Sequence, residues 1–206
     1  DYCKVAPRYG TNADLKKLFR EAKKRGIRVL LDLVPGHTSI EHPWFKASCS
    51  PEKNEFTNRF IWTDSVWHTG GERWSSKMVK GFCDRDGSYM INFFWSQPAL
   101  NFGFAKPDQP WQLPTTHPDA QATWTAMRDV MRFWLDAGAS GFRIDMAGSI
   151  IRNDPGAKES KRFWGEVRDM LDAEYPEAFI ISEWTCPENA IPAGFHADFF
   201  HFNKGY

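Results

Sequence analysis

The sequence predicts an α/β protein, part of a (β/α)8 TIM barrel with an irregular, partly β subdomain inserted into it. Three observations carry that prediction. Helix-type and strand-type patterns alternate through very short connections, as they do where helices join neighbouring parallel strands. The segment at 27–34 is nearly continuous in apolarity, as expected of a strand covered on both faces. Between His37 and Asn101 the alternation stops, and roughly sixty residues rich in tryptophan and turn formers replace it. The other common parallel architecture, a doubly wound nucleotide fold, is set aside because neither G-x-G-x-x-G nor G-x-x-x-x-G-K-[ST] occurs.

The first helix is expected to be capped by Asn12. Leu15, Leu18, Phe19 and Ala22 fall at helical spacing, and Lys23, Lys24, Arg25 and Gly26 close it. A strand at 27–34, I-R-V-L-L-D-L-V, follows at once. The same unit recurs twice. A helix over 118–137 opens on Pro118, carries Trp124, Met127, Met131 and Leu135 on one stripe, stops at Gly138 and leads into a strand at 140–146. A helix over 158–173, with Phe163, Val167, Met170 and Leu171 inward, ends before Pro176 and leads into a strand at 178–184. A fourth strand pattern covers 197–202. In the middle segment, Asp86-Gly87 between strand patterns at 78–83 and 89–94 predicts a tight hairpin turn. The expected organisation is barrel over 1–37 and 102–206, insert over 38–101. A complete barrel has eight strands and about 250 residues, so four strand candidates predict the central part of one.

Composition excludes several classes. Apolar residues make up 42% of 206, with 15 glycines besides, a globular value that excludes bulk disorder. Lys plus Arg and Asp plus Glu are both 26, so no net field draws the chain to nucleic acid or an anionic membrane. No apolar run approaches the length of a membrane-spanning helix. The polymer it handles is expected to be neutral. Ten tryptophans suit either a dense core or a surface for stacking flat ligands. Cys3, Cys49, Cys83 and Cys186 form no C-x-x-C pair and are read as free thiols, with a Cys49–Cys83 bridge the alternative in an oxidising compartment. His42, His68, His117, His196 and His201 show no metal spacing and are read as structural or exposed.

Barrel enzymes hold their reacting groups at the carboxyl ends of the strands. The polar residues there are His37 after the first strand, Arg143 and Asp145 on the second, and Glu183 on the third. Arg143 and Asp145, two apart, project from one face while Phe142 and Ile144 project from the other. A guanidinium beside Asp145 favours the anionic form that a carboxylate nucleophile needs. A structural ion pair is the competing reading. Glu183 follows an apolar stretch and precedes Trp184; apolar neighbours would favour the protonated form that a general acid needs. Alone it reads as a solvated strand end, but the two carboxyls together have the logic of glycoside hydrolysis. Asp32, a carboxylate in an apolar strand, requires a partner, and Arg143 is the candidate.

These residues resemble the α-amylase family of retaining α-glycoside hydrolases and transglycosylases, in particular its oligo-1,6-glucosidase and α-glucosidase branch. Asp32-Leu33-Val34-Pro35-Gly36-His37 is similar to D-x-V-x-N-H, Gly141-Phe142-Arg143-Ile144-Asp145 to G-F-R-x-D, Glu183-Trp184 to the E-x block, and Gln97-Pro98-Ala99-Leu100-Asn101 to Q-P-D-L-N. The resemblance makes the strand at 27–34 the third of the barrel, with the insert directly after it. It implies Asp145 as nucleophile and Glu183 as acid/base, their carboxyls about 5–5.5 Å apart. Arg143 would position Asp145, His37 would hydrogen-bond the sugar, and Trp184 would wall the site, with Asp32 and Asn101 in structural support. The implied activity is cleavage of α-glucosidic bonds in starch- or sucrose-type oligosaccharides. The alternatives are a transglycosylase or sugar isomerase of the same family, an inactive fragment, or a non-catalytic carbohydrate-binding homologue. The last would be marked by loss of the nucleophile or acid, and both stand in this sequence. Gly36 and Ser149 depart from the family's calcium-linked positions, so neither metal nor cofactor is expected. Ala99 and Met146 depart at other motif positions and leave linkage open. The F-x-x-N-H-D block that supplies the third carboxylate is expected beyond Tyr206.

Overall fold

The computed structural model describes residues 1–68 and 70–199. In chain order the strands are β1 (Leu30–Leu33), β2 (Met78–Lys80), β3 (Ser88–Met90), β4 (Gly141–Ile144), β5 (Phe179–Ser182) and β6 (Ala197–Asp198). The α-helices are α1 (Asn12–Lys23), α2 (Pro43–Ser48), α3 (Gly71–Trp74), α4 (Pro118–Asp136), α5 (Lys158–Glu174) and α6 (Pro187–Ala190). They fall into two compact units.

One unit takes in Asp1–Leu33, Ala126–Gly148 and the described residues of 160–199. Its sheet has the order β1-β4-β5-β6, every pairing parallel. This is the expected α/β arrangement. The strands are shorter than their apolar runs, and residues 200–202 of the fourth strand pattern lie outside the described residues. Helix α1 is capped by Thr11, a correction to the expectation of Asn12. The Thr11 hydroxyl accepts the Asp14 amide at 3.2 Å while Asp14 accepts the Thr11 amide at 2.9 Å. That reciprocal box satisfies two otherwise orphaned donors, which a cap at Asn12 would not. Asn12 instead ties down residues 3–5, donating to the Cys3 carbonyl and accepting the Val5 amide, both at 2.9 Å. Phe19 and Ala22 are buried; Leu18 is exposed. On α5 all four expected inward residues are buried, and the neighbouring Trp164 donates its indole N–H to the Ala147 carbonyl at 3.0 Å. That bond anchors the chain just after β4.

The other unit takes in Val34–Thr125 and Ser149–Glu159. Phe45 of α2 is its aromatic centre, ringed by Phe60, Trp62, Phe82 and Tyr89 at centroid distances of 5.0–5.9 Å. A second cluster gathers Ile61, Trp74, Met90, Ala99 and Phe104. Strands β2 and β3 pair antiparallel, as the hairpin pattern predicts, but the tight Asp86-Gly87 turn does not form. The connection runs from Gly81 to Gly87 because Asp86 is engaged elsewhere, accepting the Val66 amide at 2.7 Å. Tryptophan serves mainly the interior: Trp62, Trp74, Trp124, Trp134 and Trp164 are buried, whereas Trp67 and Trp95 are exposed.

The four cysteines are free thiols. Cys49 and Cys83 are nevertheless neighbours, close enough for Cys83 to raise the pKa of the Cys49 thiol, their segments drawn together by the Phe45–Phe82 ring pair and by Arg85, which donates to the Ser48 carbonyl at 2.9 Å. Of the histidines, His42 and His117 cap backbone amides and His196 accepts the Ile180 amide, while His68 pairs with Asp64 at the surface. His201 lies outside the described residues. No helix among the described residues is long and apolar enough to cross a membrane.

Candidate active site

The parallel register decides which side chains meet. Asp32 pairs with Arg143 and Arg143 with Ile181; one step on, Leu33 pairs with Ile144 and Ile144 with Ser182. The ladder continues past the assigned strands, with the Asp145 amide bonded to the Leu33 carbonyl and the Glu183 amide to the Ile144 carbonyl, both at 2.8 Å. Asp145 and Glu183 are therefore neighbours at the carboxyl ends of β4 and β5. Alternation sends both to the face that carries Arg143.

Arg143 joins the acids. Its Nη1 lies 2.8 Å from Asp32 Oδ1 and 2.8 Å from Asp145 Oδ1, and its Nη2 lies 2.7 Å from Glu183 Oε2. Burial works against the Arg143 charge, but the hydrogen bonds it donates to Asp32 and Asp145 and the charges of Asp32 and Glu183 outweigh it and raise the guanidinium's pKa above its ordinary value. The Asp32–Arg143 pair is the one that a carboxylate within an apolar strand called for. The apolar surroundings expected for Glu183 are not what it meets. Its Oε2 contacts the guanidinium and accepts the Met146 amide at 3.3 Å, since the same register that brings it to Asp145 brings it to Arg143.

The backbone turns sharply behind both acids. Met146 and Thr185 adopt left-handed conformations, with φ of 46° and 57°, which cost a residue with a Cβ of order 1 kcal/mol and are retained where surrounding bonds hold them. Trp184 lies against Gly148 so closely that a Cβ there would come within 2.1 Å of the indole nitrogen. Asp198 holds this turn. Its carboxylate accepts from the Ser182 hydroxyl at 2.6 Å, the Trp184 amide at 2.9 Å and the Cys186 amide at 2.8 Å. Sequence reasoning passed over Asp198, although the signal was the one that drew attention to Asp32: an acid in an otherwise apolar strand pattern.

His37 belongs to the other unit. It bridges Ala99 in antiparallel fashion, and the Thr38 amide bonds to the Pro98 carbonyl at 3.2 Å, so the Gln97–Asn101 stretch packs directly on the histidine segment. His37 Nδ1 is 3.1 Å from Asn92 Nδ2, whose Oδ1 accepts from Arg152 at 2.8 Å. Neither Asn92 nor Arg152 was singled out from the sequence. Asn101 is buried and its Oδ1 accepts the Gly103 amide at 3.1 Å, stabilising a turn in which Gly103 has a φ of 91°. No group of three metal-ligating side chains occurs among the described residues. A cavity of about 780 Å³ lies at the amino-terminal ends of β1, β4 and β5, bordered by Phe19, Arg28, Ser140 and Ala178. It is the wrong end of the strands for the acids.

Parallel strands fed by helices, with acids and an arginine collected at their carboxyl ends, define a segment of a (β/α)8 barrel of the kind that carries its reacting groups there. The chain belongs to the alpha-amylase family: the model described as Alpha amylase, catalytic domain matches residues 1–197. The trehalose synthase/amylase of Mycobacterium tuberculosis is 31% identical over 198 residues, covering 89% of this chain and 29% of that protein. The oligo-1,6-glucosidase of Heyndrickxia coagulans is 32% identical over 157 residues, covering 74% of this chain and 25% of that protein. Among solved structures, the trehalose-6-phosphate hydrolase of Bacillus licheniformis superposes with a TM-score of 0.74 at 24% identity, covering 97% of this chain and 38% of that one. The chain thus spans between a quarter and a third of the length of these curated relatives.

Proposed function

We propose that the protein is a retaining α-glycosidase acting on α-glucosidic bonds of neutral oligosaccharides of the starch or sucrose type. The supporting observation is that one guanidinium holds two carboxyls of adjacent strand ends, Asp145 and Glu183. Family membership and the G-F-R-x-D and E-x blocks support the same assignment.

Asp145 is the nucleophile. Its Oδ1 is engaged by Arg143, which leaves Oδ2 to attack the anomeric carbon. As the carbon–oxygen bond to the leaving sugar breaks, Glu183 gives its proton to the departing oxygen, and a β-glycosyl ester remains on Asp145. Glu183 Oε2 is taken by Arg143 and the Met146 amide, so Oε1 is the oxygen that carries the proton. Glu183 then removes a proton from water, the hydroxide attacks the same carbon, and the ester bond breaks with net retention. Arg143 keeps the two carboxyls in register, Trp184 supplies a flat apolar wall, and His37 hydrogen-bonds a sugar oxygen. Interception of the ester by a sugar hydroxyl in place of water gives transfer, the second reading, which the likeness to trehalose synthases supports.

The test is to treat the full-length protein with an activated fluoro-α-glucoside and map the adduct by peptide mass spectrometry. A glucosyl ester on Asp145 is expected, and an ester on any other residue would overturn the assignment. Asp145→Asn should lower turnover of α-linked glucose oligosaccharides by roughly 10⁴-fold, the scale at which loss of a nucleophile is felt.

A further inference from the structure

Arg152 is a recessed cation that no step above uses. Its Nε is buried without a hydrogen-bond partner, and no carboxylate among the described residues pairs with it; its side-chain bond goes to Asn92 Oδ1 at 2.8 Å. Its main chain is fixed on both sides, the N–H to the Gly103 carbonyl at 3.1 Å and the carbonyl to the Ala105 amide at 2.9 Å. A half-buried charge with no counter-ion is costly to keep, and here its side-chain bond leads straight to the partner of His37.

We infer that Asn92 and Arg152 are positioning residues that hold the His37 ring with its proton on Nε2. Three observations carry the inference. A guanidinium only donates, so the Asn92 atom facing Arg152 is the amide oxygen. Flipping the amide would set NH₂ against guanidinium. Burial pulls the Arg152 pKa down to about 10, still well above neutrality, so the donor persists under ordinary conditions. With the oxygen committed, the other arm of the amide, Nδ2, is the group 3.1 Å from His37 Nδ1. An NH₂ donates, so Nδ1 must present its lone pair, and the single proton of the neutral ring resides on Nε2. Lastly, a Cβ at Gly36 would come within 2.8 Å of Asn92 Nδ2. The glycine that stands where the family pattern has asparagine makes room for the amide that Asn92 brings to the adjacent histidine, 55 residues before it.

The consequence rests on the proposal that His37 contacts substrate: it meets the sugar as a donor, so the recognised group is an oxygen lone pair. The Phe93 ring packs edge-on to the imidazole at 6.0 Å, and the main-chain N–H of Asn92 donates to the Gln97 carbonyl at 3.0 Å, which fixes the backbone that carries the amide.

Neutron diffraction from the deuterium-exchanged full-length protein tests it directly. Deuterium is expected on His37 Nε2 and absent from Nδ1; deuterium on Nδ1 overturns the inference. In Asn92→Asp, nearly isosteric and able to pair with Arg152, the carboxylate accepts instead of donating, so Nδ1 should acquire deuterium. An Nδ1 that stays bare in that variant also overturns it. Kinetics separate this inference from the glycosidase reading: KM is expected to rise about tenfold with a smaller change in kcat, the signature of lost binding. A proton shift with no change in either constant upholds the relay and removes His37 from substrate contact.

Discussion

Protonation of His42 offers a perturbation whose size follows from its surroundings. The ring is 7% exposed, and its Nδ1 accepts the Trp44 amide at 3.1 Å, capping α2. Burial lowers its pKa from the ordinary 6.5 to about 4. A proton on Nδ1 would also turn a capping acceptor into a donor facing a donor. Between pH 6.5 and 4 the unfolded chain therefore binds more protons than the folded one, so stability rises with pH across that window. The contribution is fully present above 6.5 and is lost as pH falls toward 4. At about 1.4 kcal/mol per pH unit the loss reaches about 3 kcal/mol. His42→Asn keeps a capping acceptor and removes the titration. Local opening energies from hydrogen exchange of peptides spanning 43–62, measured from pH 7.5 to 4.5, should fall by about 3 kcal/mol more in the parent than in the variant. Equal pH dependence in the two proteins would refute the argument, as would an imidazole that titrates above 6.5.

Three further outcomes are expected. Asp198→Ala strips acceptors from the Ser182 hydroxyl and the Trp184 and Cys186 amides; it should cost about 2–4 kcal/mol in thermal unfolding and raise exchange at residues 184–186. Gly148→Ala forces the Trp184 indole to move, because its Cβ would sit 2.1 Å from Nε1; a destabilisation of about 1–3 kcal/mol should come with altered tryptophan fluorescence and weaker sugar binding. Oxidised glutathione should join Cys49 to Cys83 with loss of two hydrogens by mass, while Cys83→Ser should give no internal bridge. Burial, with Cys83 beside it, pushes the Cys49 thiol up to about 12, so that reaction should be slow at neutral pH and accelerate in alkali.

Much of the architecture was legible because it is written in short-range periodicity. The apolar stripe of α5 and the apolar runs of β1 and β5 follow from spacings of three, four and two residues. The two-residue spacing of Arg143 and Asp145 places both on one face of β4 without reference to any other strand. Caps and turns were harder. Thr11 outcompeted Asn12 because a box satisfies two donors, and Asp86 was drawn off its turn by the Val66 amide.

Residue types, local pattern and the short acidic motifs were thus contained in the chain as written, and with them the α/β class and the identity of the two carboxyls. Only the folded molecule decided who meets whom. The parallel register set Glu183 on the same guanidinium as Asp145, Asp198 reached back sixteen residues to Ser182, and Asn92 and Arg152, 60 residues apart, closed on His37. The physical reason is that periodicity is a property of neighbours along the backbone, whereas register and long-range hydrogen bonds are chosen by packing, in which every buried donor and charge must find its partner at once.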